Sequence, residues 1–433
     1  MKSYLILIFT IIFISAKLPA QVISKKSVDK LNEYGIPFIQ EDLNSDTRFQ
    51  QFNSSLNNKK IIALGESSHG TGEFFSAKDK LIRYLVEHQN VKTVALETDF
   101  CGMESINNFV LSKYPDSIHK EIEFTGLYGL YGVYRTYEVY DLAQWLRNHN
   151  KSLPDDHKVI LTGADMQDPY YISISLLNDS KNFPFDQPSI ATLNKLKEGF
   201  RGNSPNKFSK EDRILYKNLI MNLNKVADNF KSNKDFDITK RHIRLLEQSL
   251  SLFGIPFSKF QESRDKYFAE NVLWLSHNNK IDGTKTILWA HNTHISFSSP
   301  SKLKRCGSYL KDSLGTAYYA LALSFNEGDV SIQDFASKRQ FKAFHYGASE
   351  KKDAIEYLLN SSIQDNYILN FTELGQEKEL KEKIKAHQYM RVIGAKYLKD
   401  ERSIYFKVPV LDNFDGILFM RSTTAARNLP RTR

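Results

Sequence analysis

Cysteine is scarce. Cys101 and Cys306 are the only two in 433 residues, which excludes a disulfide framework and any zinc centre built on cysteines. Sequence position alone leaves open whether the two pair with each other. Beyond the N-terminus there is no apolar run long enough to span a membrane. No Gly-x-Ser-x-Gly elbow occurs, so a serine nucleophile is not indicated. No Gly-x-Gly-x-x-Gly or phosphate-loop pattern occurs, so nothing points to a nucleotide cofactor. Internal repeats and low-complexity tracts are also missing. The formal net charge of +9 raises nucleic acid as a partner. However, the 59 basic residues are interspersed with 50 acidic ones and form no cluster with interleaved aromatics. The pattern reads as a mixed, solvated surface, with no nucleic acid partner.

What is present begins with a leader. Lys2 precedes the apolar run Tyr4–Ile14, and small or turn-forming residues follow from Ala16 to Ala20. This is the pattern of a secretory signal peptide over residues 1–20, cleaved near Ala20–Gln21. It predicts a periplasmic or secreted protein with no stable membrane insertion after cleavage. Loss of Lys2 and Lys17 lowers the net charge from +9 to +7. Hydrophobic residues make up 41% of the chain, enough for a sizeable core.

The chain turns on the stretch Ile61–Phe75. The apolar run Ile61–Leu64 ends at Gly65. Glu66 and His69 follow, flanked by Ser67, Ser68 and Gly70, and then a helical pattern begins. A strand, a tight turn and a helix start thus hold an acid and a base where open α/β sheets present chemistry. In the helix, about Gly72–Gln89, residues Phe74, Ala77, Leu81, Ile82 and Leu85 share one face, with Lys78 in its middle. A lysine there either snorkels to water or points into the site beside His69.

Later strands end in the same way. Thr93–Glu97 finishes on a carboxylate, followed by Asp99. Val159–Leu161 runs into Gly163, Asp165 and Gln167. Thr286–Ala290 leads into His291 and His294. That His-x-x-His spacing differs from the helical zinc-protease motif, but it still brings two imidazoles near one point. Between these strands, Phe124–Tyr137 carries Tyr128, Tyr131 and Tyr134 among glycines, either a core-covering loop or an aromatic wall for an apolar ligand. Gln261–Leu275 reads as a helix carrying Arg264 and Asp265, adjacent and so not on one face. From 178 to 260 the glycines thin out. Ser209 opens a helix there, and Leu215, Leu219 and Leu223 recur at helical spacing.

The expected fold is α/β, a mainly parallel sheet with flanking helices. Residues 21–177 form the first part of the core, 178–260 an inserted helical cap, and 261–433 the second part.

Several motifs resemble those of the erythromycin esterase family. They are Gly65-Glu66-Ser67-Ser68-His69-Gly70-Thr71 with Glu73-Phe74-Phe75, then Ala95-Leu96-Glu97, then Thr136-Tyr137-Glu138 with Trp145-Leu146-Arg147. Further on come Arg264-Asp265 with Ala269-Glu270-Asn271-Val272, Trp289-Ala290-His291-Asn292-Thr293-His294, and Phe414-Asp415-Gly416. Their order and spacing run from about Asn57 to Pro430. The resemblance implies hydrolysis of the ester that closes a macrolide lactone ring, an antibiotic-inactivating reaction. It implies a catalytic set of His69, Glu66, Glu97, His291 and His294, with His69 as general base. Water is the co-substrate and no cofactor is required. Lys78, Asp99, Tyr128, Tyr131, Tyr134 and Arg264 are the expected substrate-binding residues. Lys78 stands where the family carries an arginine, keeping the charge but losing the planar fork. Two alternatives remain open. One is a metallohydrolase of esters or peptides, with Zn²⁺ or Mn²⁺ on His69, Glu97, His291 and His294. The other is a non-catalytic exported protein that sequesters an apolar ligand.

Overall fold

The computed structural model describes residues 23–39, 43, 47–114, 129–200, 208–278, 281–298, 303–334, 340–394, 397 and 400–430. The leader and Tyr128 lie outside them. The strands are β1 (Ile36–Pro37), β2 (Ile61–Leu64), β3 (Val91–Asp99), β4 (Ile160–Asp165), β5 (Lys285–Trp289), β6 (Tyr318–Asp334), β7 (Gln340–Tyr346), β8 (Asn366–Asn370), β9 (Tyr389–Arg391), β10 (Tyr405–Lys407) and β11 (Gly416–Thr423). Nine of them form one sheet in the order β1-β8-β11-β6-β2-β5-β3-β4, with β7 paired to β6. From β11 to β4 every pairing is parallel. The sheet is therefore α/β and mainly parallel, with antiparallel pairings at β1, β8 and β7.

Parallel strands in such a sheet are covered on both faces, which is why they read as continuous apolar runs. Successive side chains alternate between two cores. Ile61 and Ala63 join one core with Leu288, Phe268 and Val272. Ile62 and Leu64 join the other with Phe74, Leu81 and Trp289. Helix Gly72–His88 covers the second face. Helices Gln187–Phe200, Lys210–Asp228 and Phe236–Ser251 contribute Leu193, Leu223 and Leu246 to the first. The second of these opens on a reciprocal cap, in which Ser209 Oγ accepts from Asp212 N at 3.0 Å and Asp212 Oδ2 accepts from Ser209 N at 3.3 Å.

Two further apolar runs of the sequence form strands of other extents. The run at Ala317–Leu323 continues to Asp334, because β7 folds back on its outer half in antiparallel pairing. The run Tyr389–Ala395 contributes only Tyr389–Arg391, in a separate two-stranded sheet with β10. Among the described residues no helix is long and apolar enough to cross a membrane. Cys101 and Cys306 are both buried and unpaired.

Candidate active site

The turn after β2 is held by four distant segments. Asn292 N donates to Glu66 O at 2.8 Å, Ile393 N to Ser67 O at 2.6 Å, and Ser331 N and Ala426 N to Gly70 O at 2.8 and 2.9 Å. Gly65 is required by close approach, since a Cβ there would lie 2.0 Å from Asn292 Oδ1. Asn292 also bridges to β6, donating to Leu323 O at 2.8 Å and accepting from Leu323 N at 3.2 Å. The ends of β2, β5 and β6 are thus locked together around His69. The Gly72 amide at the start of the following helix is not free for an oxyanion, because it donates to Thr424 O at 2.8 Å. Ser68 bonds the Thr71 hydroxyl rather than capping the helix backbone.

Behind His69 sits a buried ion pair. Glu66 is 0% exposed. Its Oε1 accepts from His69 Nδ1 at 2.8 Å, and its Oε2 accepts from Lys78 Nζ at 2.5 Å and Trp289 Nε1 at 2.9 Å. Burial alone would raise the Glu66 pKa, but the Lys78 ammonium and His69 outweigh it and hold it at about 2. Lys78, pulled down to about 8 by burial against the attraction of Glu66, stays charged at neutral pH. It also sits 4.7 Å from the centre of the Trp289 ring. Nδ1 donates to the Glu66 carboxylate, which fixes the ring and leaves Nε2 as its second nitrogen, turned away from Glu66.

The His291 ring lies 4.9 Å from that of His69. Its Nδ1 accepts from Thr293 N at 3.2 Å, capping the short helix Asn292–Ile295. That assigns the proton to Nε2, which is buried without a hydrogen-bond partner. Burial, reinforced by His69, lowers the His291 pKa to about 3, so the ring is neutral. The two imidazoles thus stand side by side, one tied to Glu66 through Nδ1 and the other neutral.

A second charged group borders them. Arg264, on helix Phe257–His277, donates through Nη2 to Glu97 Oε1 at 2.9 Å and through Nε to Asp165 Oδ2 at 2.9 Å, joining the ends of β3 and β4. Glu97 Oε2 accepts from His291 N at 2.9 Å. His294 Nδ1 is 2.5 Å from Asp265 Oδ1, and its Nε2 is 3.1 Å from Glu97 Oε1. Burial disfavours the His294 charge, yet Asp265 and Glu97 raise its pKa to about 9. The ring is thus doubly protonated, and its 3.2 Å approach to Arg264 Nη1 is a contact between cations held by three carboxylates. Arg305 completes the cluster, donating to Asp265 Oδ2 at 3.1 Å.

His294 gives a pH prediction. Its folded pKa of about 9 exceeds the ordinary 6.5. Its stabilisation is therefore full below about pH 6.5 and is lost as pH rises through 9. The gap in melting temperature between the wild type and His294→Gln should be widest near pH 6.5 and close above pH 9. A gap independent of pH would refute the charged assignment.

His69, Arg264, Asp265, His291 and His294 line a cleft of about 570 Å³. Phe257, Phe260, Leu303, Val392, Phe406 and Val408 line its apolar part. Several expected substrate contacts lie elsewhere. Lys78 is fully buried behind Glu66 and does not reach the cleft. Tyr134 is fully buried against Glu66, Phe75 and Trp289. Tyr131 bonds Thr98 and Gln167. Asp99 is buried, with its pKa pushed well up by burial and by Asp168 and Asp165. None of these lines the cleft, because the tyrosine segment packs inward against the ends of β2, β3 and β5. The aromatic wall comes instead from Phe257, Phe260 and Phe406. Asp265 and Arg305 were not among the expected site residues. Asp265 follows Arg264 directly, and both reach His294 despite pointing about 100° apart on their helix.

The alternative metal set does not fit a cation. Both oxygens of Glu97 are taken by Arg264, His294 and a backbone amide, and the Arg264 guanidinium stands among the ligands. Among the described residues, His69, Glu97, His291 and His294 form no group of converging donors.

The chain is 21% identical over 422 residues to erythromycin esterase type II of Escherichia coli, covering 87% of this chain and 93% of that protein. A Bacillus cereus protein of known structure superposes with a TM-score of 0.77 at 19% identity, covering 94% of this chain and 99% of its own. A mutant of the erythromycin esterase EreC in its open conformation superposes with a TM-score of 0.68 at 18% identity, covering 90% and 97%. A family model described as erythromycin esterase matches residues 86–423, which include Glu97, Arg264, His291 and His294 but begin after the His69 turn. With well over half of its length matched, this chain belongs to the erythromycin esterase family and is a hydrolase.

Proposed function

We propose that the protein is an exported esterase that opens the lactone ring of macrolide antibiotics by means of a water activated at His69. The observation that carries this reading is the opposed pair of imidazoles. Glu66 orients His69 so that Nε2 accepts a proton, while Thr293 orients His291 so that Nε2 donates one.

Water held at His69 Nε2 loses a proton to the ring as its oxygen attacks the ester carbonyl. The Glu66 carboxylate stabilises the imidazolium that forms. The His291 N–H, buried and otherwise unpartnered, meets the developing oxyanion, a role for which a preset donor is most effective. His69 then returns the proton to the leaving alkoxide, giving a carboxylic acid and an alcohol. Water supplies all the added atoms. The charge-balanced Arg264, His294, Arg305 and Glu97, Asp165, Asp265 cluster keeps the polar side rigid without adding net charge. A volume of about 570 Å³ is within the usual range for small-molecule clefts. Its apolar rim suits a large ring with few polar groups.

Mass spectrometry of erythromycin incubated with the mature protein, with and without a chelator, tests the reading. A product heavier by one water under both conditions is expected. Activity lost on chelation and restored by metal would overturn the metal-free mechanism, and unchanged drug would remove the macrolide. The intact mass of exported protein should lack residues 1–20.

A further inference from the structure

We propose that Cys101, Glu104 and His242 form a structural site for a divalent cation of the Zn²⁺ class, joining the inserted helices to the end of β3. It is separate from the proposed hydrolytic centre, since none of the three lines the active-site cleft.

One ligand atom from each residue lies within 4.8 Å of the others. Cys101 and Glu104 come from the turn Cys101–Met103 and the helix start just after β3. His242 comes from helix Phe236–Ser251, some 140 residues later in sequence. Thiolate, imidazole and carboxylate together are a donor set that zinc accepts. Two cysteines rule out an all-cysteine centre, but not one thiolate in a mixed set.

Three details point to a ligand rather than to a plain ion pair. First, His242 Nε2 stands 2.8 Å from Glu104 Oε1, yet it is buried and lacks the alignment of a hydrogen bond. Second, its other nitrogen, Nδ1, lies 2.8 Å from Asp179 Oδ2. A carboxylate behind the imidazole is the arrangement that orients histidine toward a metal. Third, Ser175 Oγ donates to Glu104 Oε2 at 2.6 Å, fixing that carboxylate as well. Ligands around tetrahedral zinc lie about 3.3–3.8 Å apart, so small side-chain adjustments close the site. The charge balance is also favourable. A dication replaces the Nε2 proton of a charged His242 and the thiol proton of Cys101, so two protons leave and the net charge of the site is unchanged.

The test uses the full mature protein, stripped with chelator and reloaded. It should retain one equivalent of Zn²⁺ after desalting and melt at a higher temperature than the stripped form. Co²⁺ in its place should give a thiolate-to-cobalt charge-transfer band. Cys101→Ser, which is nearly isosteric, should lose the band and the stoichiometric binding while keeping the circular dichroism of the stripped wild type. Asp179→Asn should weaken binding about 10–100-fold. Absence of retained metal would overturn the proposal, leaving a protonated His242 held between two carboxylates. So would metal that survives Cys101→Ser with no thiolate band.

Discussion

His69→Ala should lower kcat for ester hydrolysis by about 10²–10⁴-fold, the usual worth of a positioned general base. The fold should survive. Glu66 keeps its bonds to Lys78 and Trp289 when the imidazole is removed, so no charge is left buried without a partner. His69 itself borders the cleft, with 14% of its side chain exposed, and its loss opens space that water fills. KM should change little, because the base acts mainly in the transition state. Steady-state kinetics beside a thermal melt separates these effects. A folded variant with wild-type turnover would take His69 out of the mechanism and leave His291 and His294 as the groups to test.

Lys78→Met should destabilise the protein by about 3–5 kcal/mol, the cost of breaking a buried pair by removing one partner. Lys78 and Glu66 are both 0% exposed, and methionine fills the lysine stem's volume without supplying a charge. Glu66 would then be a buried carboxylate with only Trp289, Tyr134 and His69 to satisfy it. Burial would push its pKa upward, and a protonated Glu66 no longer stabilises the imidazolium at His69. The double variant Glu66→Gln with Lys78→Met should regain most of the lost stability, since neither charge remains buried. Turnover should stay low, because a neutral amide does not balance the charge that forms on His69. Denaturant melts of the wild type, Glu66→Gln, Lys78→Met and the double variant give the coupling directly. If Lys78→Met alone costs nothing, the pair is not what sets the state of Glu66. On this view Lys78 supplies what the position requires, a cation behind Glu66.

Much of the site is legible in the chain because strand ends are encoded locally. Four short apolar runs, each followed by an ionisable residue, put Glu66 with His69, Glu97, Asp165, and His291 with His294 at the carboxyl edge of one sheet. Alternation along a strand and 3.6-residue periodicity along a helix need only neighbouring residues. The reciprocal cap at Ser209 and the inserted run of helices are readable for the same reason.

Periodicity says which way a side chain leaves its own element, not what waits in that direction. Lys78 sits on the apolar face of its helix, but only the packing of that helix against β2 and β5 reveals Glu66 and Trp289 there. Adjacent positions place Arg264 and Asp265 on different faces, yet the first half of their helix crosses the strand ends closely enough for both to reach His294. The tyrosines of 124–137 have the composition of a ligand wall, but Tyr134 turns inward to pack against Phe75 and Trp289 beside Glu66. Cys101 and His242, far apart in sequence, meet only because an inserted helix returns to the end of β3. The local sequence determined the four strands that carry the site, the alternation of strand and helix, and the chemistry at the strand ends. The tertiary structure decided the charge partners and the tautomers, because both depend on contacts between residues distant in the chain.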